Sequence, residues 1–234
     1  MSSLYLSRAT LKRDASTNTL AALLDPNDVN TTLDAHHKLL WSLFADTSDR
    51  KRDFLWRADS GGKFMLLSQR LPVDQHNLFD LNSREFAPSL VSGDRLTFSL
   101  RVNAVVSRWA EGASGKKKVR HDIVMDALHN NAETETTDPF PNRADSRDEK
   151  TQTAARDWMD KQGDKCGFEP EHVLAQSYST QRVPRRGASD ARFGVLDLEG
   201  HMIVKDSKQL LASIAQGFGK AKAFGNGLML IKRY

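Results

Sequence analysis

Apolar and polar residues alternate from Leu4 to Ala9 (LYLSRA), the period-two pattern of a half-buried strand. A polar loop with Pro26 and Asn27 follows. From Asn30 to Phe44 the period lengthens: Leu33, His37, Leu40, Trp41 and Phe44 share one broad helical face. Asn30 or Thr31 is suited to cap that helix, and the polar run Asp46 to Arg52 ends it. Phe54 to Ala58 and Lys63 to Gln69 read as two strands joined by a Ser60-Gly61-Gly62 turn. Asp74 to Pro88 is weakly patterned and reads as a loop with a short helix. In Gly93 to Val106, Leu96, Phe98 and Leu100 alternate with Arg95, Thr97, Ser99 and Arg101, which predicts a strand.

Glu111 to Lys150 breaks the pattern. It opens on Gly112-Ala113-Ser114-Gly115 and Lys116 to Lys118, and later carries Pro139 and Pro141. It reads as a linker or insertion holding a domain boundary. Beyond it, Thr151 to Gln162 predicts a helix ended by Gly163. Val173 to Thr180 and Arg192 to Leu198 predict paired strands around a basic loop, QRVPRRGASDA. Gly200 gives a turn into a short strand, His201 to Val204. Asp206 or Ser207 then caps a helix from Lys208 to Gln216, and Leu228 to Ile231 is a last strand. The expected organisation is an N-terminal domain at 1–112, a polar insertion at 113–150 and a second domain at 151–234. The element order of the first half suits a ferredoxin-like α+β unit, and the second half has similar elements.

Composition narrows this little. A chain of 234 residues with 39% hydrophobic side chains has room for two cores. Its net charge of +4 comes from 34 basic and 30 acidic side chains, an excess that permits a nucleic-acid partner without demanding one. Cys166 stands alone, so neither an internal disulfide nor a cysteine-rich metal site is expected, which suits a reducing cytoplasm. The mean hydropathy is −0.54 and no apolar run is long enough for a membrane span or signal segment.

The sharpest chemical feature is GFGKAKAFGNGLMLI, Gly217 to Ile231. Gly217, Gly219, Gly225 and Gly227 let the backbone turn and approach closely, and Lys220 and Lys222 add charge, the makings of a phosphate cradle. A helix cap followed by a tight turn explains the same glycines. His37 is a candidate proton shuttle. It is equally a candidate structural histidine, and no metal-ligand spacing surrounds it or His36. Arg182, Arg185, Arg186 and Arg192 can clamp phosphates or be simply solvated. Walker, nucleophile-elbow and kinase patterns are absent from the sequence.

Taken together, LYLSRATL, HKLLWSLF followed by RDFLWR, LTFSLRVNAV and QGFGKAKAFGNGLMLI resemble the CRISPR-associated CasE (Cse3) endoribonuclease family of type I-E systems, in the family's order and over nearly the whole chain. The resemblance implies tandem ferredoxin-like (RRM-like) domains. It implies cleavage of precursor CRISPR RNA at the base of the repeat stem-loop, with the product hairpin kept inside the multi-subunit complex Cascade. It places His37 at the histidine of the family's H-x-x-L-W helix. A tyrosine common three residues earlier is here Asp34, which can orient His37 or raise its pKa across one helical turn, or be a plain surface carboxylate.

The implied chemistry needs neither metal nor other cofactor. The 2′-hydroxyl of RNA attacks the neighbouring phosphate, leaving a 5′-hydroxyl and a 2′,3′-cyclic phosphate, while His37 serves as base or acid. The backbone amides of Gly217 to Gly227, with Lys220 and Lys222, are expected to hold the RNA. Arg182, Arg185, Arg186 and Arg192 are expected to grip the hairpin through shape and phosphate contacts. Two other readings stand beside this one: a non-catalytic RNA-hairpin subunit, and a small-molecule-binding ferredoxin-like protein.

Overall fold

The computed structural model describes residues 3–14, 29–45, 52–109, 118–130, 143–184 and 189–234. They form two compact units: Met1–Ser89 with Gln181–Arg192 and Ser213–Leu228, and Leu90–Thr180 with Phe193–Ala212 and Met229–Tyr234.

In the first unit, β1 (Tyr5–Leu11), helix α1 (Val29–Trp41), β2 (Phe54–Asp59), β3 (Lys63–Ser68) and β4 (Phe79–Glu85) build a four-stranded sheet in the order β2-β3-β1-β4. Each pairing is antiparallel; Ser7 of β1 faces Leu66 on one side and Ser83 on the other. The β2–β3 turn requires Gly61 and Gly62, whose φ values are 73° and 70°. Helix α1 runs on into a 3-10 turn (Ser42–Phe44). Its buried Leu39 and Leu40, with Leu43 and Phe44, pack on Phe54, Trp56, Phe64, Leu66 and Phe79. The Phe44 and Phe54 rings stack at 4.4 Å. His36 is buried too, edge-on to Phe64 at 4.8 Å, so it belongs to this core. The side chains of Asn30 and Thr31, the expected caps, lie outside the described residues.

In the second unit, β5 (Arg95–Val102) lies between β9 (Ala191–Val204) and β10 (Met229–Arg233), with β8 (Phe168–Val183) beyond β9. The apolar positions of β5, Leu96, Phe98, Leu100 and Val102, are all buried. Between β5 and helix α3 (Arg143–Cys166) come a hairpin of β6 (Val105–Trp109) and β7 (Lys118–Asp122) and helix α2 (Ile123–Asn130). Helix α4 (Ser207–Gln216) sits between β9 and β10. Asp206 caps it: its Oδ1 accepts from the Gln209 N–H at 3.0 Å.

Strand order in both sheets is that of a ferredoxin-like fold, and the α+β tandem architecture holds. The division of the chain differs from the expected one. The alternating strand after Gly93 does not close the first sheet; it opens the second. The fourth strand of the first sheet is Phe79–Glu85, read in the sequence as loop and short helix. It is an edge strand with only Phe79 fully buried, so its apolar period is faint. The described parts of 113–150, namely β7, α2 and the first turns of α3, fall inside the second unit. Those first turns are polar and imitate a linker. Gly163 does not end α3, which continues to Cys166. Gly167, at φ 77°, ends it. Nor does Gly200 divide β9; an added Cβ there would lie 1.9 Å from the His172 carbonyl oxygen, so the glycine serves close strand packing.

Gly163 serves close approach too, since its added Cβ would lie 2.4 Å from the Phe168 carbonyl oxygen. Gly163→Ala should therefore destabilise the protein by about 1–3 kcal/mol, against the roughly 1 kcal/mol gain that helix propensity alone gives. Urea unfolding reads the sign.

Candidate active site

Helix α1 carries His37 on a half-buried face, one turn before Trp41. The Trp41 indole N–H donates to His37 Nε2 at 2.9 Å. Trp41 is held in turn by an edge contact with Phe54 at 5.4 Å. On its other flank the imidazole meets the ring of Phe224 at 6.2 Å. Phe224 belongs to the glycine segment, so the fold brings His37 and that segment into one site within the first unit.

The segment is a wound loop fixed by its own packing. Gly217, Gly219, Gly225 and Gly227 all have positive φ, between 65° and 92°, and Ala221 joins them at 51°. A Cβ on Gly217 would lie 2.8 Å from Leu55, and one on Gly225 would press on the Trp56 ring at 3.0 Å. The Phe218 N–H donates to the Gly227 carbonyl at 2.9 Å, closing the loop's neck. A 3-10 turn, Lys222–Phe224, forms the tip. The Trp56 indole N–H donates to the Ala223 carbonyl at 3.1 Å, and buried Asn226 donates to the carbonyls of Phe224 at 3.1 Å and Ala221 at 3.3 Å.

Part of the amide set from Gly217 to Gly227 is engaged within the protein itself. The N–H groups of Gly217, Phe218 and Phe224 already donate to carbonyls within the first unit. The glycines let the loop fold tightly against β2, and charge is presented by side chains. Lys220 is exposed. Lys222 is half-buried, donates to the Gln216 carbonyl at 2.7 Å, and has its pKa lowered by burial, then by Lys220 and Arg52.

Arg52 was not singled out in the sequence. It precedes β2, its Nη1 is buried without a hydrogen-bond partner among the described residues, and burial lowers its pKa. The neighbouring carboxylate, Asp53, is taken by Arg70 at 2.7 Å. His37 has its pKa pushed below the ordinary histidine value first by burial and then by Arg52; Asp34 opposes this and Lys38 adds to it. Asp34 is spent mainly on Lys38, 2.6 Å away. An imidazole held toward its neutral form by burial and by Arg52 is able to accept a proton, and Arg52 also acts on Lys222, so positive charge gathers at this loop.

The hairpin arginines fare differently. Arg182 pairs with Asp190, and Arg192 is exposed in β9. Arg185 and Arg186 lie outside the described residues.

Two ferredoxin-like units, one with a half-buried histidine against a glycine-lysine loop, define the class as α+β with tandem ferredoxin-like domains. The chain belongs to the family described as CRISPR associated protein, whose pattern matches residues 4–233. Among solved structures it is similar to the CRISPR endoribonuclease Cse3 bound to 19 nt RNA, with a TM-score of 0.65 at 18% identity over 98% of this chain and 99% of that one. It is similar to Cas6e from Escherichia coli str. K-12, at 0.61 and 20% over 98% and 100%. It is also similar to a chain of a CRISPR RNA-guided surveillance complex, at 0.60 and 14% over 98% and 100%. Comparison with curated protein sequences gave no match. Among the described residues, no helix is long and apolar enough to cross a membrane.

An NMR titration of His37 should give a midpoint below the ordinary value of about 6.5. Arg52→Gln should move it upward, because removing a nearby cation makes the imidazolium easier to form. An unchanged midpoint would separate the two groups.

Proposed function

We propose that this protein is a metal-independent endoribonuclease that cleaves precursor CRISPR RNA at the repeat stem-loop and keeps the product hairpin. One observation carries the reading: His37 stands against the glycine-lysine loop at Phe224, and Arg52 acts both on His37 and on Lys222 of that loop. Support comes from similarity in fold to proteins described as an RNA-bound endoribonuclease and as part of a CRISPR RNA-guided surveillance complex. The partners on this reading are the repeat hairpin and other subunits of Cascade.

In the proposed reaction the 2′-hydroxyl gives its proton to neutral His37 as O2′ attacks phosphorus. The P–O5′ bond breaks, leaving a 2′,3′-cyclic phosphate, and a proton from solvent completes the 5′-hydroxyl. Arg52, Lys222 and Lys220 neutralise the charge that builds on the phosphorane oxygens. Arg182, Arg185, Arg186 and Arg192 supply phosphate contacts to the hairpin. His37 has to be neutral to act as base, so the rate is full above its pKa and falls as pH drops through it. Burial and Arg52 lower that pKa, and activity accordingly extends below neutral pH.

One observation favours a second reading, an RNA-hairpin subunit without cleavage: Asp34 stands where the family tyrosine is common, and its carboxylate is engaged by Lys38.

The test is a single-turnover assay on a type I-E repeat hairpin in EDTA. Cleavage should proceed, and stop with a 2′-deoxy nucleotide at the scissile position. His37→Ala should cost about 10²–10⁴-fold in rate with hairpin affinity kept. Arg52→Ala should cost about 10²-fold or more. Tight binding without any cleavage favours the second reading, and absence of hairpin binding contradicts both.

A further inference from the structure

We infer that Trp41 is a positioning residue that sets the tautomer of His37, leaving Nε2 as the basic nitrogen and Nδ1 as the one that bears the proton. The inference begins with donor inventory. An indole nitrogen can only donate, and at 2.9 Å it donates to His37 Nε2. Nε2 must then hold a lone pair, so the neutral ring carries its hydrogen on Nδ1. The choice of tautomer follows from the partner of the other nitrogen, as is general for histidine.

The geometry is well supported. Trp41 follows His37 by one helical turn, so the two rings share a face of α1. The Trp41 ring is held against Phe54 at 5.4 Å, and Phe224 flanks the imidazole at 6.2 Å. The charged groups around the ring act on its proton affinity. On α1, Asp34 and Lys38 are paired with each other. Ahead of β2 stands Arg52, which lowers that affinity; separately, on the 3-10 turn that carries Phe224, Lys222 is tied to the Gln216 carbonyl. The Trp41 bond adds a directional element to these: it exists only while Nε2 is unprotonated, so it favours the neutral ring.

For cleavage, this rests on the proposed function. The Nε2 lone pair is aimed before RNA arrives. The 2′-hydroxyl displaces the indole N–H, the proton passes from O2′ to Nε2, the O2′–P bond forms and the P–O5′ bond breaks. Nδ1–H remains as a donor. A histidine in the other tautomer would present a hydrogen where a lone pair is needed, and a wrongly set tautomer disables a catalytic histidine without disturbing its place.

The experiment combines ¹⁵N NMR of His37 in the free protein with kinetics of Trp41→Phe, which keeps a ring against Phe54 and removes only the donor. The wild-type spectrum should show an unprotonated Nε2 and a protonated Nδ1. In Trp41→Phe the tautomer should move toward Nε2–H, and the His37 midpoint should rise by about half to one pH unit. Cleavage should slow by about tenfold or more, with its acidic limb shifted upward in step and hairpin affinity unchanged. A wild-type His37 bearing its hydrogen on Nε2 overturns the inference, as does a Trp41→Phe protein with unchanged tautomer and midpoint. Should the variant fail to fold, the wild-type spectrum alone decides. If the tautomer behaves as expected but the wild type cleaves no RNA, the tautomer assignment is upheld and the endonuclease reading falls.

Discussion

The ring of Trp56 sits where the two halves of the candidate site are joined. It is fully buried, it occupies the space a Cβ on Gly225 would need, and its indole N–H holds the Ala223 carbonyl. A donor on β2 thereby fixes the tip of a loop 167 residues further along the chain. Phe224 is then placed against His37, and Lys222 is brought under the influence of Arg52. Loss of glycine at 217 or 225 would push that loop off β2, through Leu55 in one case and Trp56 in the other. The glycines are needed first for close packing, and only through it for chemistry.

The charge arrangement depends on that packing. Arg52 and Lys222 are partly withdrawn from water, which makes their positive charges costlier and their response to an anion stronger. Two nearby carboxylates among the described residues are already engaged, Asp53 by Arg70 and Asp34 by Lys38. A phosphate diester entering beside His37 would relieve this imbalance. Burial first, and then Arg52, holds the imidazole toward its neutral form, which a base requires. On the proposed reading, binding and proton transfer draw on one electrostatic arrangement, with Trp41 adding direction to it.

Much of the fold was readable in the sequence where alternation or helical spacing was strong, as in Tyr5–Leu11, the His37 helix and the strand Arg95–Val102. What periodicity does not encode is which strand pairs with which. Arg95–Val102 has the same apolar alternation whether it closes the first sheet or opens the second. The edge strand Phe79–Glu85 hides its pattern because one face is wet, and the first turns of α3 hide theirs because they are polar. In the site, His37 and the glycine segment were legible as residue types in a family-like arrangement. Arg52 was not, since it stands outside any patterned element and its role depends on neighbours distant in sequence. Trp41 was visible as an apolar helix position, but its N–H direction is a property of the folded helix. The committed amides of the loop were equally invisible, because glycine spacing shows where a chain can turn and not which donors remain for a ligand.

The central claim is that His37 takes the 2′-hydroxyl proton. Single-turnover cleavage by His37→Ala of a repeat hairpin whose scissile 5′ oxygen is replaced by sulfur tests it most directly. A thiolate leaves without help from an acid, so the sulfur substrate restores activity lost with an acid but not activity lost with a base. The account predicts that His37→Ala cleaves the oxygen and sulfur substrates equally poorly while the wild type cleaves both. Recovery of near wild-type cleavage on the sulfur substrate would contradict it.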